Sequence, residues 1–271
     1  MDIEFYCPRW GSENLSWDLF LEKAVAAGYD GVEYGIGNTV SEKELDEVWN
    51  LAGKYKVKII AQCWDTSEAD FSKNLDLYCA WFEKIKPYPI IKIDSQTGRD
   101  FFSFEHNSAL IKAASRFTAE TGVLVVHETH RNKLLFAAHI AIEYLQKIPC
   151  MKITLDVSHW VCVAESFLED QPQAIKLATE KTEHIHARVG YPEGPQVPDP
   201  RIDHWQDALN AHLNWWDQVA ERKKKENALL TITPEFGPYP YMVPLPATGK
   251  PICDQWAVNV YMMNLLKERY S

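Results

Sequence analysis

Short runs of apolar and β-branched residues alternate with longer stretches in which apolar positions recur at the helical period of 3.6, from one end of the chain to the other. The runs predict strands at 3–7, 31–34, 58–63, 90–93, 123–127, 152–155, 184–188 and 229–233. The periodic stretches predict helices at 16–27, 41–54, 71–86, 107–120, 136–147, 173–182, 205–224 and 252–269. Every strand is followed by a helix, and no linker-like change of composition interrupts the alternation. Glycines mark two of the junctions: Ala27-Gly28-Tyr29-Asp30-Gly31 leads into the second strand, and Glu120-Thr121-Gly122-Val123 repeats the device before the fifth. Eight strand-helix units in 271 residues predict the α/β class and a single (β/α)8 TIM barrel spanning 1–271. An open doubly wound sheet would want a Gly-rich phosphate turn after an early strand, whereas here the chain reads Pro8-Arg9-Trp10-Gly11-Ser12.

Charge narrows the partners. Lys and Arg number 28 against 38 Asp and Glu, a formal charge of -10, and a field of that sign repels phosphate backbones and anionic membrane surfaces. Nucleic acid is therefore excluded as an expected partner. No apolar run approaches the roughly 20 residues of a membrane span, and the first residues lack the zones of a signal peptide, so the expectation is a cytoplasmic protein that uses no membrane. The six cysteines are scattered singly, with no C-x-x-C pair, which signals neither a zinc knuckle nor a disulfide framework.

Barrel enzymes keep their chemistry at the carboxyl ends of the strands. There the chain reads His127-Glu128-Thr129-His130 after strand five and Asp156-Val157-Ser158-His159 after strand six. Strand seven carries His184-Ile185-His186-Ala187-Arg188, and strand eight ends in Thr233-Pro234-Glu235-Phe236. Any one of these carboxylates has an ordinary explanation as a helix cap or a surface charge. Four successive strands, however, offer carboxylate, carboxylate, imidazole and carboxylate at one rim. Three hard oxygens with one nitrogen suit a single divalent ion, Mn, Mg, Co or Zn, and leave positions open for a chelating substrate.

The pattern E-x-H, D-x-x-H, a strand-seven His and P-E-F resembles the xylose-isomerase-like superfamily of sugar isomerases and epimerases, over essentially the whole chain. The resemblance implies that Glu128, Asp156, His186 and Glu235 bind one divalent metal. It implies too that Glu128 and Glu235 trade the proton, and that His159 contacts a substrate oxygen. Two departures stand out. Val189, rather than an acid, lies three residues after His186, which leaves Arg188 as the nearest polar group for anchoring substrate. The loop at 191–201 carries prolines at 192, 195, 198 and 200 and reads as a rigid lid or wall, with Gln196 and Arg201 as its candidate substrate contacts.

His184 and His186, two apart on a strand, point to one face. His186 is the ligand of choice because it stands nearer the carboxyl end, and His184 reads as a layer residue inside the barrel. His130 reads either as a partner orienting a carboxylate or as a surface histidine. His127 is expected against the helices, and Glu33, ending strand two, either reaches the pocket or bonds a neighbouring loop. Trp10, Trp64, Trp160, Tyr239 and Tyr241 follow the rim and are candidate platforms for sugar C–H faces. Trp215-Trp216 lies within a helix, as core or as the surface of a homo-oligomer.

The reaction expected is isomerisation or epimerisation of a small-molecule sugar or keto-sugar, by proton transfer between two glutamates through a metal-stabilised enediolate. The alternative is a metal-dependent lyase or hydrolase, a dehydratase or keto-glycoside-cleaving enzyme, since proton abstraction beside a ketone starts all of these reactions. A DNA-repair nuclease on this barrel would want a basic face and more than the nine histidines present. A sugar sensor without catalysis would not need both glutamates.

Overall fold

The computed structural model describes residues 2–271. Eight strands, β1 (Ile3–Pro8), β2 (Gly31–Gly35), β3 (Lys58–Cys63), β4 (Lys92–Ser95), β5 (Leu124–Glu128), β6 (Ile153–Leu155), β7 (Thr182–His186) and β8 (Leu230–Thr233), lie parallel in sequence order. β8 returns to β1, with Ile3 opposite Leu230 and Phe5 opposite Ile232, so the sheet closes into a barrel. The helices α1 (Trp17–Ala27), α2 (Glu42–Tyr55), α3 (Phe71–Ile85), α4 (Phe104–Thr121), α5 (Ala138–Lys147), α6 (Val157–Ala164), α7 (Pro172–Lys181), α8 (Gln206–Glu226) and α9 (Gln255–Tyr270) form the outer ring.

Local chemistry sets the helix ends. Ser16, Ser41, Asp70, Ser103 and Asp254 each accept a hydrogen bond from the backbone N–H three residues on, satisfying an orphan donor of the first turn. Gly28 and Gly122 close α1 and α4 at φ 91° and 76°, the left-handed region where a side chain would be strained. The apolar core lies between sheet and helices: Ile185 and Ile232 point outward from the strands to join Leu21, Leu45 and Trp216. Trp215 and Trp216 are both buried, which makes them core residues and removes them as an oligomer surface. Among the described residues, no helix is long and apolar enough to cross a membrane.

The barrel interior is polar, and this accounts for the differences from the sequence reading. Apolar residues at 90–93 predicted the fourth strand, yet β4 starts at Lys92, and Ile91 is exposed. Lys92 crosses the lumen to Thr231 Oγ1 at 2.7 Å, so a residue that reads as a strand breaker faces inward. The seventh strand, expected at 184–188, ends at His186 because Arg188 N–H turns back onto the His186 carbonyl at 2.9 Å. The short helix α6, which begins directly after Asp156, was not anticipated. Five of its eight residues are buried, so it carries no amphipathic signal.

Candidate active site

Four strand ends converge at the carboxyl rim. Glu128 closes β5, Asp156 caps α6 immediately after β6, His186 closes β7, and Glu235 follows β8 by two residues. One ligand-type atom from each lies within 4.8 Å of the others. His186 Nδ1 is 2.9 Å from Glu235 Oε2 and 3.3 Å from Glu128 Oε1. All four side chains are buried. Gln62 donates to Glu235 Oε1 at 3.1 Å and fixes its rotamer from β3.

Arg188 enters the same cluster, fully buried. Its Nη2 contacts Asp156 Oδ2 and stands 3.4 Å from Glu235 Oε2 and 3.0 Å from His159 Nε2. Asp156 Oδ1 accepts from Ser158 N–H and Oγ–H. The guanidinium lies over the Tyr241 ring at 4.6 Å and 6.0 Å from that of Trp10. A buried charge beside two carboxylates offsets part of their mutual repulsion.

Electrostatics separate the acids. Burial pushes the Glu128 and Asp156 carboxyls up, against the opposing pull of His186 on the first and Arg188 on the second. Burial acts on Glu235 too, but the positive charges of His186 and Arg188 outweigh it and hold that carboxyl low. Burial disfavours the His186 cation, yet Glu235, Glu33, Asp94 and Glu128 around it keep it protonated well above the ordinary range. Among the described residues, Glu128 Oε2 has no hydrogen-bond partner in this buried position. Three buried carboxylates, one imidazole and an unpartnered oxygen form a donor set that suits a divalent cation, which would take the place of the His186 proton.

A cavity of about 690 Å³ opens beside the cluster. Glu235, Arg188, His130 and Tyr241 line its inner end, Trp10 and Trp64 its walls, and Arg9, Trp17 and Tyr34 its far end between β1 and β2. Of the residues expected to meet substrate, Trp10, Trp64 and Arg188 therefore line the cavity. His159 and Glu128 lie one layer deeper. His159 packs against His130, with ring centroids 4.0 Å apart, and burial pushes its pKa well below the usual value.

Two expectations are corrected. Trp160 is core: it is fully buried and its indole N–H donates to the Leu135 carbonyl at 2.7 Å, because α6 turns it away from the rim. Gln196 does not line the cavity. Its amide donates to the Gly237 carbonyl at 3.2 Å and accepts from Gly237 N–H at 2.7 Å, complementing both backbone groups of one residue. The 191–201 loop is thereby pinned beside the mouth, with Val197 buried and Arg201 paired to Asp199, so it forms a flank of the rim and not a cover. Tyr239 points to solvent, 75% exposed.

Sequence reading missed Asp94 and placed Glu33 ambiguously. Glu33 lies inside the barrel, bridging His184 and His186 at 3.2 and 3.1 Å. Asp94 is fully buried with neither oxygen hydrogen-bonded, and desolvation holds its carboxyl well above the usual range. The available signal was alternation within the strands, where Glu33, Gln62 and Asp94 occupy neighbouring registers across β2, β3 and β4. His127 is buried, with Nδ1 2.7 Å from Thr97 Oγ1.

No protein-family model matches the sequence, and no curated protein matches it. Among solved structures, the chain is similar to the probable 3-DHS dehydratase AsbF, involved in petrobactin synthesis, from Bacillus anthracis. The two share 16% identity at a TM-score of 0.61, over 99% of this chain and 100% of that one. An AP endonuclease of family 2 from Brucella melitensis matches at 10% identity and a TM-score of 0.55, over 87% of this chain and 93% of that one. At these identities the likeness is one of fold. The chain thus has the closed eight-stranded parallel barrel shared with these proteins.

Proposed function

We propose that this protein is a divalent-metal-dependent isomerase or epimerase of a sugar or keto-sugar. The observation that carries the reading is the convergence of Glu128, Asp156, His186 and Glu235 on one point, with Glu235 opening onto the cavity. Those four residues would hold the ion, which supplies Lewis acidity toward the negative charge that builds on substrate oxygens.

The chain's own groups do the rest. Glu235 reaches the cavity beside the Arg188 guanidinium, whose charge, together with that of the ion when bound, would keep its carboxyl ionised and suit it to take a proton from the carbon beside a carbonyl. Glu128 stands on the other side of His186, one layer below the cavity, and is the second carboxyl of the proposed proton exchange, delivering a proton to the neighbouring carbon. Arg188 supplies fixed N–H donors at the cavity's inner end, and Trp10 and Trp64 offer flat apolar surface to sugar C–H groups while excluding water.

A second reading, a lyase or hydrolase that cleaves a keto-glycoside or dehydrates its substrate, draws on the size of the cavity. About 690 Å³ lies in the middle of the range of roughly 300–1,000 Å³ for drug-sized ligands, and is more than one hexose ring fills. One experiment addresses both. The purified protein is analysed for metal and incubated in D₂O with a panel of ketoses, keto-acids and 3-keto-glycosides, followed by NMR. Deuterium entering an intact carbon skeleton supports the isomerase, and release of an aglycone or water supports the lyase. Absence of exchange with every substrate, in the presence of Mn²⁺, Mg²⁺, Co²⁺ or Zn²⁺, overturns both.

A further inference from the structure

Below the four-residue cluster a second set of polar side chains crosses the barrel, and the chemistry above does not use it. Lys92 of β4, Thr231 of β8, His184 and His186 of β7, and Glu33 of β2 form one connected chain, each side chain buried. Its two ends fix the direction of every hydrogen bond in it, because an ammonium can only donate and a carboxylate can only accept.

Lys92 Nζ donates to Thr231 Oγ1 at 2.7 Å and to the Glu183 carbonyl at 2.6 Å. With its oxygen so engaged, the Thr231 hydroxyl proton is free for His184 Nδ1 at 2.8 Å. The His184 proton then sits on Nε2, which faces Glu33 Oε2 at 3.2 Å. Glu33 Oε1 lies 3.1 Å from His186 Nε2, so that nitrogen too must carry a proton. The other arrangement sends His184 Nδ1–H to the Thr231 carbonyl at 3.0 Å and turns a bare Nε2 lone pair toward a carboxylate. That sets a buried lone pair against a charged carboxylate, whereas in the first arrangement Nδ1, though 3.0 Å from the Thr231 carbonyl, receives the Thr231 hydroxyl proton and Glu33 faces only N–H donors. Asp94 Oδ2 stands 3.9 Å from the same His186 Nε2, beyond hydrogen-bond reach, so Glu33 is the acceptor on that side of the ring.

We infer that Glu33 is a positioning residue, held by the Lys92–Thr231–His184 chain, that fixes His186 with its proton on Nε2. The lone pair of Nδ1 is thereby left for a divalent ion, on the side where Glu128 and Glu235 stand. The inference rests on the metal reading above and gives Glu33 and its chain a place in it: outer partners of this kind set a ligand's tautomer and raise its basicity, and their loss typically weakens metal binding 10- to 100-fold.

The test uses the whole protein stripped of metal, with Mn²⁺ binding measured by isothermal titration calorimetry for the wild type, Glu33→Gln, Thr231→Val and Asp156→Ala. Glu33→Gln preserves shape and should bind Mn²⁺ at least about 10-fold more weakly. Thr231→Val, two hydrogen bonds further away, should bind a few-fold more weakly, and Asp156→Ala should lose binding. Nitrogen-15 NMR of the histidine-labelled, Zn²⁺-loaded wild type should show a proton on His186 Nε2 and metal on Nδ1, a measurement that stands even if a variant fails to fold. Wild-type affinity in Glu33→Gln beside lost binding in Asp156→Ala overturns the positioning role alone, as does Nε2 ligation in the NMR spectrum. No Mn²⁺ binding by the wild type overturns the metal reading and this inference together.

Discussion

His212 lies on α8, outside the cluster, and gives a pH-dependent stability that can be worked out from two hydrogen bonds. Its Nδ1–H donates to the Ala208 carbonyl at 2.8 Å, and its Nε2 accepts from Gly190 N–H at 3.1 Å, just before the 191–201 loop. Only the neutral ring satisfies both, since a second proton would meet the Gly190 N–H. Burial accordingly pushes its pKa from 6.5 down to about 4, against a smaller opposing effect of the Ala208 bond. The unfolded chain binds this proton more tightly, so the contribution is fully present above pH 6.5 and is lost as pH falls toward 4. The total is about 3 kcal/mol, of which about 2 kcal/mol has gone by pH 5. His212→Gln keeps an acceptor for Gly190 but gives up the bond to Ala208, which costs about 1 kcal/mol at pH 7. Equilibrium urea unfolding in EDTA, followed by far-UV circular dichroism, should find the variant less stable than wild type at pH 7 and more stable at pH 5, with the curves crossing near pH 6. Curves that stay parallel from pH 7 to pH 5 would refute the reasoning, because His212 would then not be the neutral buried group described.

Three further outcomes are expected. Arg188→Leu strips the compensating charge from Asp156 and Glu235 and should destabilise the metal-free protein by about 3–5 kcal/mol, while excess Mn²⁺ restores part of the loss; chemical denaturation with and without the ion measures both. Trp160→Phe leaves the Leu135 carbonyl without its donor and should cost about 1–3 kcal/mol of stability with no change in KM for whichever substrate the panel identifies, in keeping with a core position. Gln196→Ala removes both bonds to Gly237, so hydrogen exchange at the Gly237 amide should accelerate while metal content is unchanged; unaltered exchange would detach the loop from that strand end.

The alternation of strand and helix was written in the chain, because each element's period and caps are local: Ser41 three residues before Glu44, or Gly122 closing α4, needs no distant partner to act. The order of the strands followed from their number and their connections, since eight consecutive parallel units with a helix between each pair close most simply into a barrel. Glu128, Asp156, His186 and Glu235 were legible for the same reason, as polar residues placed where such strands end.

The inside of the barrel was decided only by closure. Lys92, Glu33 and Asp94 sit in strands that read as half-polar, and nothing near them in sequence says that the charged side faces inward. Lys92 and Glu33 are tolerable there because a residue from across the lumen answers each: Thr231 lies 139 positions from Lys92, and His186 lies 153 from Glu33. The same holds at the rim, where Trp160 and Gln196 looked equal to Trp10 and Trp64 as rim residues. The turn of α6 and the pairing of Gln196 with the backbone of Gly237 separated them. Hydrophobic periodicity records which side of an element avoids water, but the partner that makes a buried charge affordable comes from elsewhere in the chain, and only the folded barrel brings the two together.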